Sequence, residues 1–264
     1  MSVGILPLQS KTAPANADIA VTWHVEALSA QAIDREYSCS NCYVRNVCLP
    51  SNLRDDELIE LEELIREKRK TVRGAALYRQ GDILKSLYVV RSGAFKSVGA
   101  VGAENEKVTG LHLPGDILGL DAINGRVHGY GAVALEDSDV CVLPYAALTR
   151  LTLRIPRLQE HLLRALSGDI VRDRGLMLRL GSMSAEQRLA AFLVALSDRH
   201  QRLGYASSRF NMRMMRQEIA SYLGLTVETV SRLFSRLQHD RVIEVQGREV
   251  QVKDVPGLRK LVGY

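Results

Sequence analysis

Four cysteines are the residues of this 264-residue sequence whose type and spacing could hold a metal centre. Three stand close together and the fourth lies far along the chain: Cys39, Cys42, Cys48 and Cys141. A C-x2-C-x5-C arrangement with a distant fourth cysteine can hold either Zn²⁺ or an iron–sulfur cluster. Structural zinc sites usually offer two close pairs, whereas this arrangement offers a group of three and a single residue. Cys141 taken alone could equally be a buried strand residue. The spacing is therefore compatible with zinc, with an iron–sulfur cluster and with free thiols.

The sequence shows no other kind of reactive site. It contains no nucleophile paired with a general base, no glycine loop that could cradle a phosphate, and no HExxH string. The six histidines share no metal-ligand spacing, and we interpret them as structural or surface residues: His24, His112, His128, His161, His200 and His239. We therefore expect a protein that is not an enzyme.

A second group of residues, near the C-terminus, could bind duplex DNA. Residues 216–223 predict a short helix, and Val227 to about His239 predict a second helix with Thr226 as its N-cap. Between them, Gly224 permits the positive φ that ends the first helix. Small or apolar residues have the spacing that two crossing helices require: Ala220, Val230 and Leu233. Turn, cap and core spacing together predict a helix-turn-helix, against the alternative of an ordinary helical hairpin.

The predicted packing leaves Glu228, Ser231 and Arg232 on the outer face of the second helix. The first turns of this helix enter the major groove in helix-turn-helix proteins. There, arginine can donate two hydrogen bonds to guanine, and glutamate can accept one from N4 of cytosine. Three further arginines are candidates for phosphate contacts, which position a protein on DNA without specifying sequence: Arg213, Arg216 and Arg236.

The net charge of +5 is concentrated in the same part of the chain. From Ser184 to Tyr264 there are 13 Lys and Arg against 8 Asp and Glu, whereas the first 183 residues hold 22 of each sign. This distribution is expected if the last third contacts a polyanion. No run of about 18 apolar residues predicts a membrane span, and the N-terminus does not have the pattern of a secretory signal. We therefore expect a cytoplasmic protein.

Hydrophobic patterning predicts the elements that position these residues. Residues 1–36 read as a leader without clear periodicity. Residues 55–70 have apolar residues at helical spacing followed by basic ones, which predicts a helix. From Thr71 to about Leu143, short β-type runs alternate with glycine turns, which is typical of an antiparallel barrel or jelly roll. Near the C-terminus, two short runs around Gly247 predict a β-hairpin wing.

A long helix is predicted from about Ile155 to Leu180. Residues along it step by three and four, which traces a coiled-coil seam: Leu163, Leu166, Ile170, Asp173, Met177 and Leu180. A helix packed on its own domain is the alternative, but arginines crowd the other faces and leave only a narrow apolar stripe. In a dimer, Asp173 would face its twin across the two-fold axis, where like charges are destabilising.

These elements predict an α+β fold with four parts. Residues 1–36 form the leader, and residues 37–154 form the cysteine segment with an antiparallel β jelly-roll sensor domain. Residues 155–183 form the dimerisation helix, and residues 184–264 form a winged helix-turn-helix domain.

Several segments resemble the CRP/FNR superfamily of bacterial transcription regulators, and its FNR branch in particular. The resemblance covers roughly residues 38 to 250 and is carried by SCSNC…C at 38–48, QGDILKSLYVVRSGAFKS at 80–97, LHLPGDILGLDAI at 111–123, SGDI…D at 167–173 and ETVSR at 228–232. It implies that the four cysteines hold an oxygen-labile [4Fe–4S] cluster, with zinc as the second choice. It also implies that Glu228, Ser231 and Arg232 read a TTGAT half-site.

The resemblance further implies a homodimer that binds double-stranded DNA, and a loop at 102–107 that contacts RNA polymerase. It argues against a cyclic nucleotide as effector. Relatives that bind one use a Gly-Glu segment and an Arg-Ser or Arg-Thr pair, whereas this chain has Gly115-Asp116 and an Arg126 that valine follows. We therefore expect a regulator of anaerobic gene expression that binds DNA as a dimer when the cluster is present. The alternatives are a regulator or architectural protein with a structural zinc, and a regulator with a small-molecule effector in the barrel.

Overall fold

The structure, a computed structural model, describes residues 38–65, 67–100 and 106–263. The predicted leader at 1–36 lies outside the described residues. The cysteine segment begins the described chain and makes two short 3-10 turns, Arg45–Val47 and Leu49–Asn52. Helix α1 (Asp55–Leu64) follows, with three acidic residues in its first turn, where the helix dipole favours negative charge.

Eight antiparallel strands form two four-stranded sheets that pack as a sandwich. They are β1 (Glu67–Thr71), β2 (Ala76–Tyr78), β3 (Ser86–Ser92), β4 (Phe95–Ala100), β5 (Glu106–His112), β6 (Ile117–Leu118), β7 (Gly131–Ala134) and β8 (Ser138–Pro144). The strand orders are β1-β8-β3-β6 and β2-β7-β4-β5. Phe95, Leu118 and Val140 are fully buried in the same core cluster. The predicted antiparallel β domain is confirmed.

The predicted helix over residues 55–70 is wrong in its second half. Helix α1 ends at Leu64, and Glu67–Thr71 is strand β1, which pairs with β8 at the edge of its sheet. Four of its five residues are exposed and charged, from Glu67 to Lys70. Charged residues are common on edge strands because they discourage pairing with other chains. Such a strand lacks the alternation of apolar and polar residues, so its sequence resembles the basic end of a helix.

Helix α2 (Ala122–Gly125) lies between β6 and β7. Three helices lead from the sandwich to the C-terminal part: α3 (Tyr145–Arg154), α4 (Pro156–Ser182) and α5 (Ala185–Arg202). Helix α4 is the predicted long helix. It begins at a proline, whose fixed φ suits the first helical position. Among the described residues, no helix has the length and apolar character needed to cross a membrane.

The C-terminal part contains β9 (Arg209–Asn211), α6 (Arg216–Leu223), α7 (Val227–His239), β10 (Ile243–Gln246), β11 (Glu249–Val252) and α8 (Val255–Val262). The three strands form one sheet in the order β10-β11-β9, and Gly247 turns between β10 and β11 as predicted. Helices α6 and α7 with this sheet confirm the predicted winged helix-turn-helix. Buried residues of α5 and α6 share one core cluster with Val98, Val108 and Leu111 of the sandwich.

Candidate cysteine site and nucleic-acid interface

The four cysteines meet at one cavity between the cysteine segment and the sandwich. Cys39, Cys42 and Cys48 come from the segment, and Cys141 comes from the middle of β8, where it pairs with Lys68 on β1 and Val89 on β3. All four are half-buried and make no disulfide. The cavity is lined by the four thiols and mainly by apolar side chains, including those of α1 and β3. Residues about a hundred positions apart in sequence are thus brought to one place.

The electrostatics of the cavity disfavour free thiolates. Burial, followed by the nearby Cys141 thiol, raises the pKa of Cys39 to about 12. Burial also raises the pKa of Cys48 and of Cys141, and the neighbouring thiols raise both further. Without a compensating cation these three thiols therefore stay protonated at neutral pH. A bound metal centre supplies that cation and replaces the protons.

Four cysteine thiols are a ligand set known both for a zinc ion and for an iron–sulfur cluster. Among the residues that the structure describes, no three thiol, imidazole or carboxylate side chains form a group that could hold one metal ion. A tetrahedral zinc needs four sulfurs about 2.3 Å from one point. The four cysteines surround a cavity, and one thiolate for each of four irons is the ligand set of a [4Fe–4S] cluster.

The cysteine segment is anchored to the rest of the chain. The Ser38 hydroxyl and the Ser40 backbone N–H donate to Oε1 of Glu62 on α1, at 2.9 and 3.1 Å. The Tyr43 hydroxyl donates to the Arg91 carbonyl on β3.

Apolar contacts also link the segment to α4. Leu49 and Leu53 are buried in one core cluster with Leu158 of α4, and Cys48 and Cys141 pack against that cluster. The cysteine segment and the start of α4 therefore share one core.

The helix-turn-helix has the local geometry predicted for it. Gly224 ends α6 with φ of 63°, and the Thr226 hydroxyl accepts a hydrogen bond of 3.2 Å from the Thr229 N–H. Val230 is fully buried where α7 crosses α6. Phe234, which the sequence reasoning left out, is also buried and is the largest side chain of α7 in this core. Phe234 stands four residues after Val230 and so lies on the same face of the helix, which could have identified it as a core residue.

Glu228, Ser231 and Arg232 are all exposed on one side of α7. Hydrogen bonds from the backbone N–H of Glu228 itself and from the Thr226 side chain lower the pKa of the Glu228 carboxyl. Glu228 is therefore ionised at neutral pH and able to accept hydrogen bonds. The Arg232 Nε donates a hydrogen bond of 3.4 Å to the Glu228 carbonyl, and the two terminal guanidinium nitrogens take no part in that bond.

The three arginines predicted to contact phosphates differ in their surroundings. Arg236 is 62% exposed, with carboxylates of Glu186 and Asp240 at 3.5 and 3.8 Å. Arg213 instead forms an ion pair with Glu136 of the sandwich. The Arg216 guanidinium lies 3.2 Å from the ring centre of Phe234, and burial lowers its pKa. Of the three, only Arg236 is exposed, whereas Arg213 and Arg216 are half-buried.

The predicted seam of α4 divides into two sets. Leu163, Ile170 and Met177, seven residues apart, are 58, 49 and 65% exposed, and Asp173 is exposed beside them. Leu166 packs against the core that contains the cysteine segment.

Leu180, at the end of the seam, is half-buried under the turn of the helix-turn-helix: its Cδ2 lies 3.3 Å from where a Cβ on Gly224 would stand. Two further apolar residues that the prediction left out are exposed along the same helix, Val171 and Leu178.

Side chains fill the sandwich interior near Asp116 and Arg126, the residues that were compared above with those of relatives that bind a cyclic nucleotide. His128 is buried and stacks on Tyr78, with ring centres 3.8 Å apart. A Cβ on Gly119 would stand 3.1 Å from the His128 ring. The Arg126 guanidinium lies over the Tyr145 ring at 4.8 Å, and Asp116 forms an ion pair with Arg199 of α5. Arg126 and Asp116 are thus both held by protein partners.

Comparison with known proteins matches both parts of the chain. Residues 187–261 match the Crp-like helix-turn-helix domain, and residues 68–154 match the cyclic nucleotide-binding domain. The chain is 44% identical to the transcriptional regulatory protein btr of Bordetella pertussis, over 85% of this chain and 93% of that protein. It is 39% identical to the fumarate and nitrate reduction regulatory protein of Escherichia coli, over 86% and 90%. Among solved structures, FixK2 of Bradyrhizobium japonicum aligns with a TM-score of 0.68 and 26% identity, over 74% of this chain and 96% of that one.

Proposed function

The chain belongs to the CRP/FNR family of transcription regulators, and we propose that it is an oxygen-responsive member that controls anaerobic gene expression. On this proposal it works in the cytoplasm as a homodimer, binds an inverted repeat of TTGAT half-sites, and does so while a [4Fe–4S] cluster is bound. The observation that carries the proposal is the meeting of four cysteines, three from one segment and one from β8, at a single cavity.

The cysteines and the dimer helix are coupled through packing. Cys39, Cys42, Cys48 and Cys141 would hold the [4Fe–4S] cluster, which would supply an oxygen-labile link between the cysteine segment and β8. The segment that carries three of these ligands also places Leu49 and Leu53 against Leu158 of α4. Holding the segment on the sandwich therefore stabilises the start of α4, which offsets the repulsion between the two Asp173 carboxylates and permits dimerisation.

The exposed apolar face of α4 is the proposed dimer contact. Leu163, Ile170 and Met177 form a stripe that a second copy of the same helix would cover. A two-fold dimer places two α7 helices in successive major grooves, about 34 Å apart. Each α7 would then present Glu228, Ser231 and Arg232 to one TTGAT half-site.

Two further parts of the proposal concern partners. The ring stacking of His128 on Tyr78 and the engagement of Arg126 and Asp116 support a sandwich that takes no cyclic nucleotide, although its domain family includes proteins that do. The loop at 102–107 is proposed to contact RNA polymerase. Most of it lies outside the described residues, and Glu106 and Lys107 begin β5.

Metal analysis of protein purified without oxygen tests the cluster. We expect brown protein with iron and acid-labile sulfide near four of each per monomer. Cys141→Ser should lose both, because β8 then offers no fourth ligand. Asn46→Ala, a change at an exposed position of the same segment that leaves all four thiols and the anchoring bonds in place, should keep both. Colourless wild-type protein with stoichiometric zinc would show that the proposed centre is wrong.

A further inference from the structure

Arg188, in the first turn of α5, joins the ends of two other helices. Its guanidinium donates three hydrogen bonds to backbone carbonyls: from Nη2 to Leu180 at 2.7 Å, from Nε to Met183 at 3.0 Å, and from Nη1 to Leu223 at 3.2 Å. Leu180 and Met183 belong to the C-terminal end of α4 and its cap, and Leu223 is the last residue of α6. One side chain thus connects the predicted dimer helix to the helix-turn-helix.

The three carbonyls need such a donor. The last carbonyls of a helix have no partner within the helix, because no further turn supplies the N–H groups. Arginine suits the position because its guanidinium is a planar fork with five N–H donors, whereas the ammonium of lysine is a single point on a flexible stem. The guanidinium therefore holds the ends of α4 and α6 at a set distance and angle.

An apolar contact at the same joint fixes the turn itself. Gly224 takes a left-handed conformation, and a Cβ there would stand 3.3 Å from Cδ2 of Leu180 and 3.7 Å from Nη1 of Arg188. The turn between α6 and α7 therefore rests on the end of α4. Since α7 starts three residues after Gly224, the direction of α7 relative to α4 is determined at this joint.

We infer that Arg188 is a positioning residue that sets the spacing between the two half-sites that the dimer accepts. The inference rests on the proposed function, because it takes α4 as the dimer helix and α7 as the reading helix. One base pair more or less between half-sites moves the second by about 3.4 Å and rotates it about the DNA axis by a tenth of a turn. A joint that holds α7 rigidly on α4 rejects such a shift, and a loosened joint tolerates it.

Binding of the full chain, cluster-loaded and without oxygen, to a series of duplexes tests this. Each duplex carries two inverted TTGAT half-sites, with the spacer changed by one base pair at a time, and a further duplex carries one altered base in each half-site. Wild-type protein should prefer one spacer by about tenfold over its neighbours. Arg188→Met, which keeps an unbranched apolar stem and removes the donors, should reduce that preference to about threefold or less. Arg188→Lys should lie between them.

The base-altered duplex separates spacing from reading. Arg188→Met should discriminate against it as strongly as wild type does, because Glu228 and Arg232 are unchanged. Arg259→Met is the matched control: Arg259 also contacts α5, through Asp198 at 2.5 Å, but its described bond reaches neither α4 nor α6. It should keep the wild-type spacing preference.

The possible failures are distinguishable. If the Arg188 variants bind more weakly at every spacer but keep the wild-type preference, the residue is merely structural and the inference is overturned. Should Arg188→Met not fold, as judged by circular dichroism, the same criterion applies to Arg188→Lys. Wild-type protein that does not distinguish TTGAT from the altered duplex would instead overturn the proposed function.

Discussion

At the scale of single residues, the polar and charged side chains predicted to contact DNA differ in their surroundings. Glu228, Ser231 and Arg232 are exposed on α7, whereas Arg213 and Arg216 are engaged by Glu136 and by the Phe234 ring. The sequence predicted the first group well, because exposure on a helix follows from its period. It could not predict the engagement of Arg213, since the partner lies on the sandwich 77 positions away.

This grouping predicts different effects of two arginine substitutions on DNA binding. Arg232→Ala should lose about 1–3 kcal/mol of discrimination at the base that it contacts, because a bidentate arginine–guanine pair is removed. Arg236→Ala should weaken binding to all duplexes alike and lower the salt slope by about one, because a phosphate contact is lost. Titrations over a range of salt concentrations measure both. Equal loss of sequence discrimination in the two variants would contradict the assignment.

The protonation of His112 makes stability depend on pH. Burial lowers its pKa from 6.5 to about 4, while Asp116 and Asp169 oppose this shift and Arg199 and Arg172 add to it. The unfolded chain binds a proton below pH 6.5 and the folded chain does so only near pH 4. The free energy of unfolding therefore falls as the pH drops through this window, by about 2 kcal/mol between pH 6.5 and pH 5.

Urea unfolding of the cluster-free protein at pH 7 and pH 5 measures this effect. The control is His112→Gln, which removes the titrating ring and can still bond to the Ser97 hydroxyl, now 2.6 Å from Nε2 of His112. The wild-type protein should lose more stability than the variant over this interval. The same loss in both proteins would show that His112 is not responsible.

At the scale of elements, the sequence predicted helix α4 but not which of its faces is exposed. Its length and its steps of three and four were readable from the sequence, and the structure gives a helix over Pro156–Ser182. The sequence did not indicate which residues of this stripe are exposed and which pack on the same chain. Leu166 and Leu180 pack on the same chain because the cysteine segment and the Gly224 turn stand next to them. Both neighbours come from distant parts of the sequence.

The sequence-based prediction missed strand β1 because this strand has no hydrophobic pattern. Its residues are charged and exposed, so no hydrophobic pattern marked it, and only pairing with β8 makes it a strand. Pairing between strands some seventy residues apart is a property of the tertiary fold. Local sequence carries little information about it.

The proposed role of α4 as dimer helix predicts the effect of removing Asp173. Asp173→Ala should give a protein that dimerises and binds DNA in air, because the like charges that face each other across the two-fold axis are gone. Light scattering and DNA titration of air-exposed protein measure the two properties. Glu160→Ala is the control, since this exposed carboxylate on the same helix already pairs with Arg164 at 2.6 Å and lies outside the seam. An Asp173→Ala protein that remains monomeric in air would refute the repulsion account.

At the scale of the whole molecule, two separate cores each link the sandwich to one of the candidate sites. One core joins the cysteine segment, the sandwich and the start of α4. The other joins the sandwich to the helix-turn-helix, where Lys96 pairs with Glu218 at 2.7 Å and the Val108 N–H donates to the Ser221 hydroxyl at 3.0 Å. The sequence predicted the parts but not these connections, which depend on how the sandwich packs on its neighbours.

The most direct test of the account is to follow cluster content and DNA binding together in one sample of the full chain. Protein purified without oxygen is exposed to air, and the visible absorbance, the iron content and the affinity for a duplex with a TTGAT inverted repeat are measured over time. We expect specific binding at the start, and loss of absorbance, iron and affinity in parallel. Affinity that stays unchanged after the iron is lost would contradict the central claim that the four cysteines control DNA binding.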